Sequence, residues 1–171
     1  MIHPENITII GGGGAIGYAF AQELRARHPV ATIRVFSRAL PQTEISGVSH
    51  QLIDYEDELS IQAAANLASA DRPVDLVLVT TGILHEENLR PEKSLRELSY
   101  KNFERLFKVN TITPALIAKY FLPVLSRNKL SIFAALSARA GSVSDNQLGG
   151  WYAYRASKSA LNMIIKSASI E

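Results

Sequence analysis

The sequence contains no cysteine. Disulfides and thiolate metal sites are therefore excluded for these residues, and a reducing compartment is compatible with the chain. It also lacks any apolar stretch of about 20 residues, the length that a membrane-spanning helix needs. The opening residues, MIHPENITII, show neither the basic region nor the long apolar region of a signal peptide. We therefore expect a soluble cytoplasmic protein.

The chain also has little net charge, with a formal value of +2. The 18 Lys and Arg residues nearly balance the 16 Asp and Glu residues, and the basic residues are scattered along the chain. Nucleic-acid binding usually requires a basic stripe, so we expect no nucleic-acid partner. His3, His28 and His50 have no carboxylate or histidine companions at ligand spacing, and we therefore expect no metal site.

What the sequence does contain is a regular alternation of short apolar runs and helical patterns. Strands are predicted at 7–10, 32–36, 48–53, 74–79 and 130–136, and helices at 15–27, 56–70, 99–126 and from 153 onward. The first helix carries Ile16, Phe20 and Leu24 on one face, and Pro114 is expected to kink the long one. This alternation predicts a doubly wound, Rossmann-type parallel sheet with helices on both faces, a three-layer α/β/α fold. The length of 171 residues fits a single domain, 1–171.

A glycine-rich turn follows the first predicted strand and opens the first helix. Glycines allow a tight turn and a close approach of the backbone to phosphates, and the helix N-terminus supplies free N–H groups. The context therefore predicts a dinucleotide pyrophosphate site, although a flexible turn without a ligand would have the same composition. The residues assigned to this site are Gly11, Gly13, Gly14, Ala15, Ile16 and Gly17.

The ends of the next two strands suggest which dinucleotide is bound. Ser37 and Arg38 follow the second strand, where a basic residue favours the 2′-phosphate of NADP and an acidic residue would favour NAD. Asp54 and Tyr55 follow the third strand and could flank the adenine. A solvated surface arginine and a simple strand-ending aspartate are the alternatives. The prediction is that NADP(H) is preferred and that NAD(H) can also bind.

Tyr154 and Lys158 lie four residues apart at the start of the last helix and so share one helix face. A phenol is a poor acid at neutral pH, and a nearby ammonium favours its ionised form. Such a tyrosine could protonate a carbonyl oxygen or deprotonate an alcohol. The spacing alone would equally suit a surface pair.

Further motifs accompany Tyr154 and Lys158, and together they resemble the pattern of the short-chain dehydrogenase/reductase family along the whole chain. The details are similar to the C-factor-like and sniffer-like carbonyl reductase branch of that family. The segments that carry the resemblance are the glycine-rich turn, Thr81-Gly82-Ile83-Leu84-His85, Val109-Asn110, Gly141 to Asn146 and Gly149 to Arg155 with Tyr154 and Lys158.

The resemblance implies an oxidoreductase that acts on a carbonyl or alcohol. Tyr154 would be the acid/base, Lys158 would lower its pKa and bind ribose, and Asn110 would hold a water in a proton relay. A serine near the end of the fifth strand would bond the substrate carbonyl; Ser137 is our prediction, with Ser142 and Ser144 as rivals. Thr81 and Gly82 would join the cofactor site. A homodimer or homotetramer would form through 99–126 and the last helix. The alternative is a nucleotide-binding signalling or regulatory protein on the same fold.

The sequence also departs from the family's pattern. Ile10 stands where threonine is usual, Ala15 replaces the usual second glycine, and Val79-Thr80-Thr81-Gly82 replaces Asn-Asn-Ala-Gly. Ala138 occupies the position of the usual catalytic serine. The chain also ends at Glu171 within a helical pattern. We therefore expect it to be truncated, without the last strand or strands and the substrate loop of the family.

Overall fold

A computed structural model describes residues 3–171 and contains a five-stranded sheet. All neighbouring strands pair in parallel, in the order β3-β2-β1-β4-β5. The strands are β1 (Asn6–Ile10), β2 (Thr32–Ser37), β3 (Val48–Leu52), β4 (Leu76–Val79) and β5 (Ile132–Ala135). Each lies within two residues of its predicted bounds. The parallel Rossmann-type prediction is confirmed.

Five α-helices connect or follow these strands. They are α1 (Ala15–Arg27), α2 (Glu58–Ser69), α3 (Tyr100–Phe107), α4 (Thr113–Phe121) and α5 (Tyr152–Ala168). A π-helical turn, Lys108–Ile112, joins α3 to α4, and a 3₁₀ turn, Leu122–Val124, follows α4. None of the helices between residues 3 and 171 is both long and apolar enough to cross a membrane.

Helices cover both faces of the sheet, which explains why β1 is buried at all five positions. On one face, Ile7, Ile9 and Val35 pack with Ala21 of α1. The opposite face is covered by α2 and the second half of α4. Its cluster includes Ile10, Phe36, Ile61, Val77 and Phe121.

Three helix predictions need correction. The buried side of α1 consists of Gly17 and Ala21, whereas Ile16 is 59% and Phe20 36% exposed. The short side chains let the helix lie close to the strands. The last helix ends at Ala168, and Ser169 caps it through a bond to the Ile165 carbonyl.

The third correction concerns the long helix, which is broken into α3, the π turn and α4. Pro114 has no N–H to donate to the preceding turn. The N–H of Thr113 instead bonds to the Lys108 carbonyl, a π-type spacing, and its hydroxyl donates to the same oxygen at 3.0 Å. The kink expected at Pro114 therefore takes the form of a π turn just before it.

The chain forms two compact units. The sheet unit comprises the described residues up to Thr80 together with Leu116–Ala135, and it contains all five strands. The helical unit comprises Thr81–Ala115 and Leu136–Glu171, and it contains α3, the π turn and α5. The assignment of 1–171 to a single domain stays a prediction.

Candidate functional site

The glycine-rich turn of the sheet unit is a crowded backbone cradle. Gly11 adopts a φ of 94°, which favours glycine. A Cβ on Gly12 would lie 2.1 Å from Val35 Cγ1, and one on Gly17 would lie 2.6 Å from both the Gly11 carbonyl oxygen and Thr80 Oγ1. Gly12, which was not among the predicted residues, and Gly17 are therefore sterically required.

The start of α1 presents unpaired backbone donors at this cradle. The first helical bond runs from the Tyr18 N–H to the Gly14 carbonyl at 2.9 Å, so the N–H groups of Ala15, Ile16 and Gly17 precede the helical ladder. The first turn of α1 has no acidic residue that would repel an anion. Together with the positive end of the helix dipole, these donors suit a phosphate group.

Arg38, at the end of β2, is exposed, as a 2′-phosphate ligand would be. The Ser37 hydroxyl is buried and donates to the Ala39 carbonyl at 2.5 Å, so this bond occupies its hydrogen. This bond shapes the turn after β2.

The two residues predicted to border the adenine, Asp54 and Tyr55 after β3, differ in their exposure to solvent. Burial raises the pKa of Tyr55 to about 12, although the positive charge of Arg38 and a backbone bond from Gly11 act in the opposite direction. The Tyr55 hydroxyl donates to the Phe36 carbonyl at 3.3 Å. Asp54 is exposed, and its Oδ1 accepts the Glu56 N–H at 2.8 Å in a local turn.

Asn110 organises the helical unit. Its side chain is fully buried; Oδ1 accepts the Ile83 N–H at 2.8 Å, while Nδ2 donates to the Ile83 carbonyl at 2.9 Å and to Ser157 Oγ at 3.1 Å. Ser157 in turn donates to the Tyr154 carbonyl at 2.8 Å. A buried chain of bonds thus runs from the loop after Thr81 to the helix that carries Tyr154. Ser157 is the link between them.

Lys158 is also buried, with 3% of its surface exposed, and its Nζ donates to the Leu136 carbonyl at 3.0 Å. Burial lowers its pKa. A Cβ on Gly82 would lie 3.2 Å from this Nζ and 3.5 Å from Asn110 Oδ1, so Gly82 lies directly beside both side chains. Thr81 Oγ1 is buried and has no hydrogen-bond partner among residues 3–171, which leaves it available to a ligand.

Tyr154 differs from expectation in one respect. Burial raises its pKa, whereas the sequence suggested that Lys158 would lower it. The reason is that the described contact of Lys158 Nζ is the Leu136 carbonyl, and desolvation is the cause that acts on the phenol. The ring of Trp151 meets that of Tyr154 edge-on, with centroids 6.2 Å apart.

The three candidate serines lie in different surroundings. Ser137 is exposed and directly follows Leu136, whose carbonyl holds Lys158. Ser142 Oγ lies 3.4 Å from Ser144 Oγ and accepts the Asp145 N–H at 3.3 Å, so these two belong to a local turn.

One cleft of the described chain is lined by none of the predicted site residues. The helical unit has a cleft of about 570 Å³ between residues 86–89 and α3. Over residues 3–171, no group of three or more His, Asp or Glu residues is arranged to hold a metal ion.

Comparison with known proteins places these observations in a family. Residues 5–171 match the family model described as short chain dehydrogenase. The chain belongs to this family of oxidoreductases. Its fold is the one seen in the carbonyl reductase Sniffer of Drosophila melanogaster, with a TM-score of 0.82 at 22% identity over 98% of this chain and 75% of that one. A carbonyl reductase from chicken fatty liver, solved with NADPH bound, gives a TM-score of 0.82 at 25% identity over 99% of this chain and 71% of that one.

Curated relatives have more varied descriptions. C-signal of Myxococcus xanthus is 37% identical over 78 residues, which are 46% of this chain and 47% of that protein. A 1-hydroxy-2-glutathionyl-2-methyl-3-butene dehydrogenase of Rhodococcus is 26% identical over 163 residues, 94% of this chain and 68% of that protein. An uncharacterized oxidoreductase of Schizosaccharomyces pombe is 25% identical, and the match spans 66% of its length. The chain thus spans between about half and two thirds of these proteins.

Proposed function

We propose that the protein transfers a hydride between NADP(H) and a carbonyl or alcohol group of a small molecule, with Tyr154 as the acid/base. The observation that carries this proposal is the buried network of α5. Ser157 and Lys158 are fixed by hydrogen bonds to Asn110 and to the Leu136 carbonyl, and Tyr154 lies on the same helix. Buried polar groups of this kind are costly unless they are paired, so their concentration on one helix favours a chemical role.

The residues present fit a nicotinamide dinucleotide. In the sheet unit, the cradle of Gly11–Gly17 and the donors of Ala15 and Ile16 would hold its phosphates. Arg38 would bind a 2′-phosphate, with Ser37 shaping its turn, and Asp54 and Tyr55 would border the adenine. In the helical unit, the unpaired Thr81 Oγ1, the open backbone of Gly82 and Lys158 Nζ suit the nicotinamide ribose. The bound cofactor supplies the hydride.

Tyr154 would exchange the proton. Because burial raises its pKa, the phenol is protonated throughout the neutral range and is ready to donate to a carbonyl oxygen. Ser137, exposed beside the Leu136 carbonyl, would donate a hydrogen bond to the same substrate oxygen.

Asn110 has a narrower role in this proposal than the resemblance implied. Both hydrogens of its amide are engaged, by Ile83 and Ser157. Its side chain would therefore hold Ile83 and Ser157 in place, and only the second lone pair of Oδ1 is left for a water of a proton relay.

The cofactor preference can be tested by titrating NADPH and NADH against the wild type and Arg38→Glu, following the fluorescence of the reduced nicotinamide. We expect NADPH to bind more tightly to the wild type, and the charge reversal to shift the preference towards NADH by about tenfold or more, the effect of about 1.4 kcal/mol. Tighter NADH binding by the wild type would contradict the role given to Arg38.

A second candidate function is favoured by the 37% identity to C-signal, whose name describes a signal. The protein would then bind the nucleotide in a signalling or regulatory role. The two functions are separated by offering the purified protein NADPH with a panel of aldehydes and ketones and following absorbance at the nicotinamide band. Substrate-dependent oxidation supports the enzyme; cofactor binding without any oxidation supports the regulator.

Assembly as a homodimer or homotetramer through 99–126 and α5 is part of the first proposal, and Met163 of α5 is 66% exposed.

A further inference from the structure

We propose that Glu92, a buried acid in the loop between β4 and α3, is a positioning residue that fixes the start of α5 and, through it, Tyr154. This inference rests on the proposed function of Tyr154 for its catalytic consequence. Its structural part concerns only residues of the helical unit and stands on their contacts.

The start of α5 has an unusual backbone. Gly149, Gly150 and Trp151 have φ values of 65°, 62° and 53°, three consecutive residues in the left-handed region. We call residues 149–151 the left-handed turn. Two of its positions suit glycine, but Trp151 is a bulky residue in a conformation that such residues rarely adopt. Surrounding contacts must therefore hold it there.

Glu92 supplies those contacts from a distant part of the chain. Its backbone carbonyl accepts the Trp151 N–H at 2.5 Å, and its Oε2 accepts the Ala153 N–H at 3.3 Å. A Cβ on Gly150 would lie 3.1 Å from the same Glu92 carbonyl oxygen, so glycine permits this close approach. Trp151 is the N-cap residue of α5 but offers no side-chain cap. Glu92 therefore performs the capping that a serine or aspartate at the N-cap usually performs.

Burying the carboxyl group of Glu92 costs more free energy than burying an apolar side chain would. Glu92 is only 2% exposed, and its Oε1 has no hydrogen-bond partner among residues 3–171. An apolar side chain of similar size would fill the same space without burying an unpaired oxygen. The bond to Ala153 is thus the feature that distinguishes glutamate from such a residue.

The left-handed turn is coupled directly to Tyr154. The Trp151 ring meets the Tyr154 ring edge-on at 75°, and the Arg155 N–H bonds to the Trp151 carbonyl at 2.8 Å. A shift of Trp151 would therefore displace the phenol. Reaction rates are sensitive to misplacements of about 1 Å in a reacting group, which can cost about a hundredfold.

Trp151 is the only tryptophan of the sequence, so its fluorescence reports on the left-handed turn without requiring turnover. The test compares Glu92→Ala and Glu92→Gln with Glu97→Ala. Glu97 is a matched control because it lies in the same loop, is exposed, and accepts a backbone N–H, that of Lys93, at 2.8 Å. For each variant, acrylamide quenching of Trp151, the dissociation constant of NADPH, and kcat and KM for carbonyl reduction are measured.

We expect Glu92→Ala to raise the quenching constant about twofold and to lower kcat about tenfold, with the dissociation constant of NADPH within about twofold of wild type. Glu92→Gln keeps the shape and an acceptor oxygen, so it should stay near wild type in quenching and retain most of the activity. Glu97→Ala should change neither. If Glu92→Ala matches Glu97→Ala in both readouts, or if Glu92→Gln raises the quenching constant as much as Glu92→Ala, the proposal is wrong.

Two further results separate this inference from the proposed function. If Glu92→Ala does not fold, Glu92→Gln decides the matter, because a wild-type quenching constant in that variant supports the hydrogen-bond role and a raised one contradicts it. If wild-type protein reduces no carbonyl, the proposed function fails, and the quenching comparison still supports or overturns the role of Glu92 at the left-handed turn.

Discussion

The sheet unit and the helical unit differ in the kind of group that would serve the proposed function. In the sheet unit the important groups belong to the backbone: glycines that cannot carry a side chain and helix N–H groups that precede the ladder of α1. In the helical unit they are side chains, among them Asn110, Ser157 and Lys158, buried and joined by hydrogen bonds. Binding a phosphate requires space and donors, whereas moving a proton requires specific side chains held in fixed positions.

The difference predicts that the sheet unit is sensitive to added atoms. Gly17→Ala would place a Cβ 2.6 Å from the Gly11 carbonyl oxygen and from Thr80 Oγ1, while at Gly14 the nearest such atom is 3.6 Å away. We expect Gly17→Ala to weaken NADPH binding by about a hundredfold, since the backbone must move away from the phosphates. Gly14→Ala is the matched control and should change the dissociation constant little. Equal effects of the two substitutions would show that the cradle is not set by steric contact.

The helical unit should be sensitive to removed atoms. Asn110→Ala leaves the Ile83 N–H and carbonyl without their partner, and we expect it to lower the free energy of unfolding by about 2–4 kcal/mol. Urea unfolding followed by circular dichroism measures this. Asn162, which makes one bond of 3.3 Å to the Gly141 carbonyl, provides the control, and Asn162→Ala should cost about 1 kcal/mol or less. A loss for Asn110→Ala no larger than that of the control would break the distinction between the units.

The serine assignment sharpens the comparison further. Ser137→Ala should lower kcat for carbonyl reduction about tenfold, because it removes the exposed hydroxyl that would donate a hydrogen bond to the substrate oxygen. Ser144→Ala is the matched exposed control and should stay within about twofold of wild type. A larger loss in Ser144→Ala or Ser142→Ala than in Ser137→Ala would move the role into the turn of residues 142–145.

The smallest expected effect is a pH dependence of stability. Burial lowers the pKa of Lys158 from its ordinary value of 10.5, so between the lowered pKa and 10.5 the unfolded chain binds more protons than the folded one. The free energy of unfolding contributed by this residue therefore rises with pH across that interval. Relative to Lys158→Met, the wild type should become more stable as pH rises towards 10.5 in urea titrations. A difference between the two proteins that does not change with pH would mean that Lys158 is solvated.

Local patterns in the sequence account for much of the sheet unit. The apolar runs of β1 and β2 and the glycines before α1 are short-range signals, and they predicted the strands, the turn and the parallel sheet, although not the order of the strands. They failed where burial depends on partners: Ile16 and Phe20 formed an apolar stripe, yet the small residues Gly17 and Ala21 face the strands.

Less of the helical unit could be foreseen. Tyr154 and Lys158 stood out by their spacing and Asn110 by family resemblance, and the roles of all three remain predictions. Pro114 signalled a break but not a π turn, which depends on Thr113 finding the Lys108 carbonyl. Glu92 gave no sequence signal, because its two bonds reach residues about 60 positions away. The Gly149-Gly150 pair was the one available hint of a left-handed turn.

The most direct test of the central claim is the matched pair Tyr154→Phe and Tyr152→Phe, with kcat for carbonyl reduction and the dissociation constant of NADPH measured on the same preparations. Tyr154→Phe removes only the hydroxyl that would donate the proton, so kcat should fall by about a hundredfold or more while NADPH binding stays within about twofold. Tyr152→Phe should leave both quantities near wild type. Full turnover by Tyr154→Phe would contradict the assignment of Tyr154 as the acid/base.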